Sequence, residues 1–101
     1  MSLPKLVRDK IPQIIEKSGR SCEYEIADHD QMKIFLEAKM SEECQEFFES
    51  PSLSEAADIY EVFLAVLDNW GLEMSEVLQR SQHKKMNNGA FKNKIILQEI
   101  N

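Results

Sequence analysis

Apolar positions in this chain recur with the spacing of helices rather than strands over most of its length. Met32, Phe35, Leu36, Met40 and Phe47 stand three or four residues apart or at multiples of that step, which places them on one helical face. Asp28 or Asp30 is suited to cap this helix, which runs to about Glu49. Ser52-Leu53-Ser54-Glu55 has the form of a capping box and opens a third helix that reaches Asn69 or Trp70, with Gly71 as its stop. A shorter first helix is expected over residues 8–18, with Pro12 in its first turn and Gly19 at its end. The fourth runs from Met74 or Ser75 to Asn87 and is ended by Asn88-Gly89. Two stretches suit short strands. Cys22-Glu23-Tyr24-Glu25-Ile26 alternates weakly, near residues 22–27, and Lys94-Ile95-Ile96-Leu97 suits a strand or a docking arm, near 93–98. The pattern predicts an all-α four-helix bundle forming a single domain over residues 1–101, with no repeat and no interdomain linker.

The third helix is apolar nearly all round between Val62 and Leu67. Four short helices do not easily cover every face of one of them. A homodimer centred on this helix, or a tetramer of dimers, is therefore expected. The alternative is cover by the tail or the first helix within one chain.

Charge interrupts the apolar pattern at two places. Leu36, Met40, Glu43 and Phe47 follow 4-3-4 spacing, so Glu43 holds a position where a core residue belongs. Asp58 lies in Ala56-Ala57-Asp58-Ile59-Tyr60, ahead of the apolar run. A carboxylate in such surroundings is rarely buried without a partner. Each is one of a pair at i,i+3, Glu43 with Glu46 and Glu55 with Asp58, a spacing at which like charges repel. With a tight turn at Ser50-Pro51, Glu43 faces Asp58 and Glu46 faces Glu55, two rungs of oxygen donors suited to Mg²⁺ or Mn²⁺. Glu55 has a second reading as the returning half of the capping box, and Glu42 reads as a solvated neighbour. Lys39, one turn before Glu43, is placed to pair with phosphate or with the carboxylates.

The net charge of −6 argues against a nucleic-acid polymer or an anionic membrane as main partner. It leaves room for a phosphorylated ligand, because a bound divalent ion reverses the local sign. The longest apolar run, Val62 to Leu67, is too short to span a membrane, and Lys5, Arg8, Asp9 and Lys10 precede any long apolar stretch. Two cysteines, Cys22 and Cys44, without zinc spacing fit a reducing compartment, so a cytoplasmic chain is expected. His29 and His83 lack partners at catalytic spacing, and there is no serine or cysteine nucleophile motif and no glycine-rich phosphate loop. Trp70, Tyr24 and Tyr60 suit either base stacking or the core.

Glu43-x-x-Glu46 followed by Glu55-x-x-Asp58 resembles the signature of the all-α nucleoside triphosphate pyrophosphohydrolases, the MazG-like superfamily, which includes phosphoribosyl-ATP pyrophosphohydrolase. The opening Lys5-Leu6-Val7-Arg8-Asp9-Lys10-Ile11-Pro12 and the ending around Asn88-Gly89-Ala90-Phe91 resemble one branch of small stand-alone members, so the likeness covers almost the whole chain. It departs at Asn88 and Ala90, where that branch is expected to carry Arg and Gly, and in the short gap between the two pairs. The resemblance implies Mg²⁺-dependent hydrolysis of a nucleoside triphosphate to monophosphate and pyrophosphate, with house-cleaning of non-standard nucleotides as a role. Glu43, Glu46, Glu55 and Asp58 would hold the metal. Glu43 or Glu46 would take the proton of the attacking water, and Arg8, Lys10, Lys39 and Lys84 are candidate phosphate contacts. The alternative is a nucleotide- or metal-binding helical module with little turnover.

Overall fold

A computed structural model describes residues 3–101 and contains four helices: α1 (Ile11–Lys17), α2 (His29–Glu49), α3 (Leu53–Asn69) and α4 (Met74–Asn88). The all-α four-helix reading holds. The two strand expectations do not: residues 22–27 and 93–98 have no regular structure. A strand needs a neighbour to accept its backbone hydrogen bonds, and the weak alternation around Tyr24 and Ile26 supplied no apolar face to recruit one. Both side chains are exposed.

Helix ends follow local chemistry closely. Asp28 caps α2 in a complete capping box: its Oδ1 accepts from the Gln31 amide at 2.8 Å, and the Gln31 Oε1 accepts from the Asp28 amide at 3.0 Å. Ser52 caps α3, its Oγ accepting from the Glu55 amide at 3.1 Å, and only this half of the box is formed. The Glu55 carboxylate is thereby left for another role. Ser52→Ala is expected to lower stability by about 1 kcal/mol without changing turnover per folded molecule, measured by urea unfolding alongside activity. Beyond α3, Gly71 adopts a positive φ of 68°, the left-handed geometry that ends a helix and that glycine adopts without a Cβ clash. The first helix is shorter than residues 8–18, since it begins only at Ile11, next to Pro12.

Contacts group the chain into two units, Met1–Gly71 and Leu72–Asn101. In the first, α2 and α3 pack together as a hairpin across Ser50-Pro51-Ser52. The core of this hairpin is small. Leu36 is fully buried and Leu67 nearly so, while Val62 to Val66 are half-buried. Glu43 is the buried charged residue among those described. The second unit holds α4 and the irregular segment after it, and none of its residues is buried.

A candidate metal centre on the helical hairpin

The stripe Leu36, Met40, Glu43, Phe47 turns Glu43 toward α3, as its spacing requires, and leaves it only 7% exposed. From α3, Glu55 and Asp58 meet it: one carboxylate oxygen from each of Glu43, Glu55 and Asp58 lies within 4.8 Å of the others. Along α2, Glu42, Glu43 and Glu46 form a second such group. Glu43 belongs to both, so it is the hub of a five-carboxylate patch spanning the hairpin.

Two buried oxygens of this patch, Glu43 Oε2 and Glu55 Oε2, have no hydrogen-bond partner. Buried acceptors are nearly always satisfied, and an orphaned carboxylate oxygen costs more than an orphaned neutral one. Two cations approach from outside. Lys39 Nζ lies 3.5 Å from both Glu42 Oε1 and Glu43 Oε1. Arg8 Nη2 donates to Asp58 Oδ1 at 2.8 Å. With these two cations set against the five carboxylates, three negative charges are left over, most of which a divalent ion would offset. Burial raises the Glu43 pKa above its ordinary value, with the Glu46 and Asp58 charges adding to the effect and Lys39 opposing it.

The structure redraws the two rungs. Glu43 meets both Glu55 and Asp58, whereas Glu46 groups with Glu42 and Glu43 on its own helix. The midpoint of a turn gives the pairing of backbone positions, but long glutamate side chains then converge on the most buried member. Glu42, read as solvated, is half-buried and joins the patch through Lys39. Its signal was in the sequence, as an i,i+4 pair with Glu46 and an i,i+3 partner of Lys39. Of the two roles open to Lys39, the structure shows pairing with the carboxylates.

Arg8 is exposed at the edge of the site and reaches it through Asp58. Lys10 is exposed at the N-cap position of α1, and among the described residues it forms no ion pair with the patch. Lys84 is exposed on α4 in the second unit. His29 and His83 are exposed, and Trp70, Tyr24 and Tyr60 also face solvent rather than the core.

The patch is an oxygen-only donor set of the kind hard divalent cations take, with two donors already stripped of water. Comparisons with family models, curated proteins and solved structures found no match. No helix among the described residues is long and apolar enough to cross a membrane.

Proposed function

We propose that the chain is a Mg²⁺-dependent nucleoside triphosphate pyrophosphohydrolase, releasing monophosphate and pyrophosphate. The observation that carries this reading is the orphaned, buried Oε2 of Glu43 at the centre of the patch. The likeness of the Glu43-x-x-Glu46 and Glu55-x-x-Asp58 pairs to the all-α pyrophosphohydrolases supplies the reaction class. Glu43, Glu46, Glu55 and Asp58 would hold Mg²⁺, with Mn²⁺ as a substitute. When bound, the metal supplies charge neutralisation for the phosphate oxygens and an ordered water.

The chain's own groups do the rest. Glu43 and Glu46 are the candidate bases for the water that attacks the phosphoric anhydride. Burial and like charges favour the protonated form of Glu43, which suits a group that must accept a proton. Lys39 holds Glu42 and Glu43 in place. Arg8, exposed and paired with Asp58, can turn a guanidinium edge toward a phosphate. Its ion pair with Asp58 is solvent-accessible and contributes at most about 1 kcal/mol. Arg8→Gln is therefore expected to leave folding nearly unchanged and to raise the nucleotide KM roughly tenfold or more, the loss of one charge-assisted hydrogen bond. A KM within about twofold of the parent would remove Arg8 from the site.

The working form proposed is a homodimer or a tetramer of dimers, acting in the cytoplasm on small nucleotides, non-standard ones included. A second reading, a metal- or nucleotide-binding module with little turnover, draws on Asn88 and Ala90 standing where Arg and Gly are expected. A nucleotide panel assayed for pyrophosphate release with Mg²⁺ separates the two. The hydrolase reading requires release from at least one nucleotide, abolished by Glu43→Gln. Metal binding without release from any nucleotide would favour the module.

A further inference from the structure

The carboxylates of the patch form two overlapping groups, Glu42 with Glu43 and Glu46, and Glu43 with Glu55 and Asp58. Within each group one oxygen of every member lies within 4.8 Å of the others, so by spacing alone either could take a cation. The groups differ in what already stands beside them. Lys39 Nζ lies 3.5 Å from Glu42 Oε1 and 3.5 Å from Glu43 Oε1, and the lysine side chain is only 16% exposed. Lys39 precedes Glu42 by three residues and Glu43 by four on the same helix, so α2 itself holds the ammonium over this end of the patch. The cation at the other group is Arg8, on Asp58. It comes from the irregular segment before α1, and its side chain is 58% exposed.

The two oxygens of Glu43 are divided accordingly. Oε1 faces Lys39, whereas Oε2 is buried without a partner, as is Oε2 of Glu55 on the facing helix. Glu43 as a whole is only 7% exposed. An orphaned oxygen on so deeply buried a carboxylate points to a ligand independently of the acidity of the cluster. Charge sets a limit on that ligand. Lys39 and Arg8 against the five carboxylates leave three negative charges. One divalent ion offsets two of them, and a second would turn the patch positive at a spacing where like charges repel strongly in a partly dry site. With Lys39 neutral, four negative charges remain, which two divalent ions balance.

We propose that Lys39 is a built-in cation that closes the Glu42 end of the patch and limits the site to one divalent ion, held from the side of Glu43 Oε2 and Glu55 Oε2. The inference rests on the metal reading above and specifies how many ions the site takes and which residue sets that number. A phosphate chain entering the site would then meet one divalent ion and a fixed ammonium rather than the pair of ions used by two-metal hydrolases. Lys39 is in this sense a positioning residue, acting on the carboxylates and through them on the ion.

Equilibrium dialysis of the full chain against Mn²⁺ counts the ions bound per chain, with helicity by circular dichroism as the check on folding. The parent is expected to bind one ion. Lys39→Met is expected to bind two with helicity retained, and the double variant Lys39→Met, Glu42→Gln to return to one. Should Lys39→Met lose helicity, Glu42→Gln alone decides. It is expected to keep a single ion at close to the parent's affinity, because Glu42 serves the ammonium and not the ion. A parent chain that binds no Mn²⁺ would overturn the metal reading and this inference with it. A parent that binds two ions, a folded Lys39→Met that still binds one, or loss of the ion in Glu42→Gln would overturn the role of Lys39 while leaving the metal centre standing.

Discussion

Glu43→Gln is expected to reduce pyrophosphate release at saturating Mg²⁺ by at least about a hundredfold, since groups that act as one unit fail together. Glu43 is the member shared by both carboxylate groups, so its loss disconnects the α2 donors from the α3 donors. A second neutral substitution, Asp58→Asn, should then cost little more. The same variant carries a stability signature of opposite sign. In the folded chain the Glu43 pKa is raised above 4.5. Its contribution to stability is therefore fully present below that value and is lost as pH rises through the raised one, where the buried group must ionise. Without metal, Glu43→Gln should gain stability over the parent as pH is taken upward from 4.5, and Mg²⁺ should reverse the order. Parallel urea titrations at several pH values, with chelator and with Mg²⁺, read both effects. Equal pH dependence in the two proteins would show that Glu43 is not held in the environment described.

Leu36→Ala is expected to be the most destabilising single change in the fold. Leu36 is the fully buried large side chain of the hairpin, and Leu67 is the other buried apolar residue among those described. Truncating a buried leucine costs about 2–5 kcal/mol. Whole domains are stable by only about 5–15 kcal/mol, and a hairpin with so small a core belongs at the lower end. The variant should unfold largely without metal and regain helicity as Mg²⁺ is added. Binding confined to the native state contributes about 2.7 kcal/mol at a hundredfold excess over Kd. Circular dichroism across an Mg²⁺ titration measures this. A Leu36→Ala chain as stable as the parent would mean that the hairpin is held together elsewhere.

The hairpin was legible in the sequence because its signals are local. Asp28, Ser52 and Gly71 mark helix boundaries through hydrogen bonds and φ angles set within a few residues, and α2 and α3 end where those residues place them. Glu43 was legible for the same reason, as a charge on an apolar stripe. The arrangement of donors was not. Which carboxylates meet depends on side-chain reach and on the exposure left by Lys39, neither of which backbone spacing records. The strand expectations failed because alternation in Cys22–Ile26 describes a face but not a partner. Arg8 came into the site through a contact spanning fifty positions in sequence, for which no periodic signal exists.

Titrating Mn²⁺ into the full chain and following the electron paramagnetic resonance of the free aqua ion tests the central claim most directly. The parent protein is expected to remove the free-ion signal with saturable binding. Glu37→Gln, an exposed glutamate on the same helix, should bind as the parent does. Glu43→Gln should lose most of the binding. A free Mn²⁺ signal undiminished by the parent chain, or binding as tight in Glu43→Gln as in the parent, would contradict a metal centre at this patch.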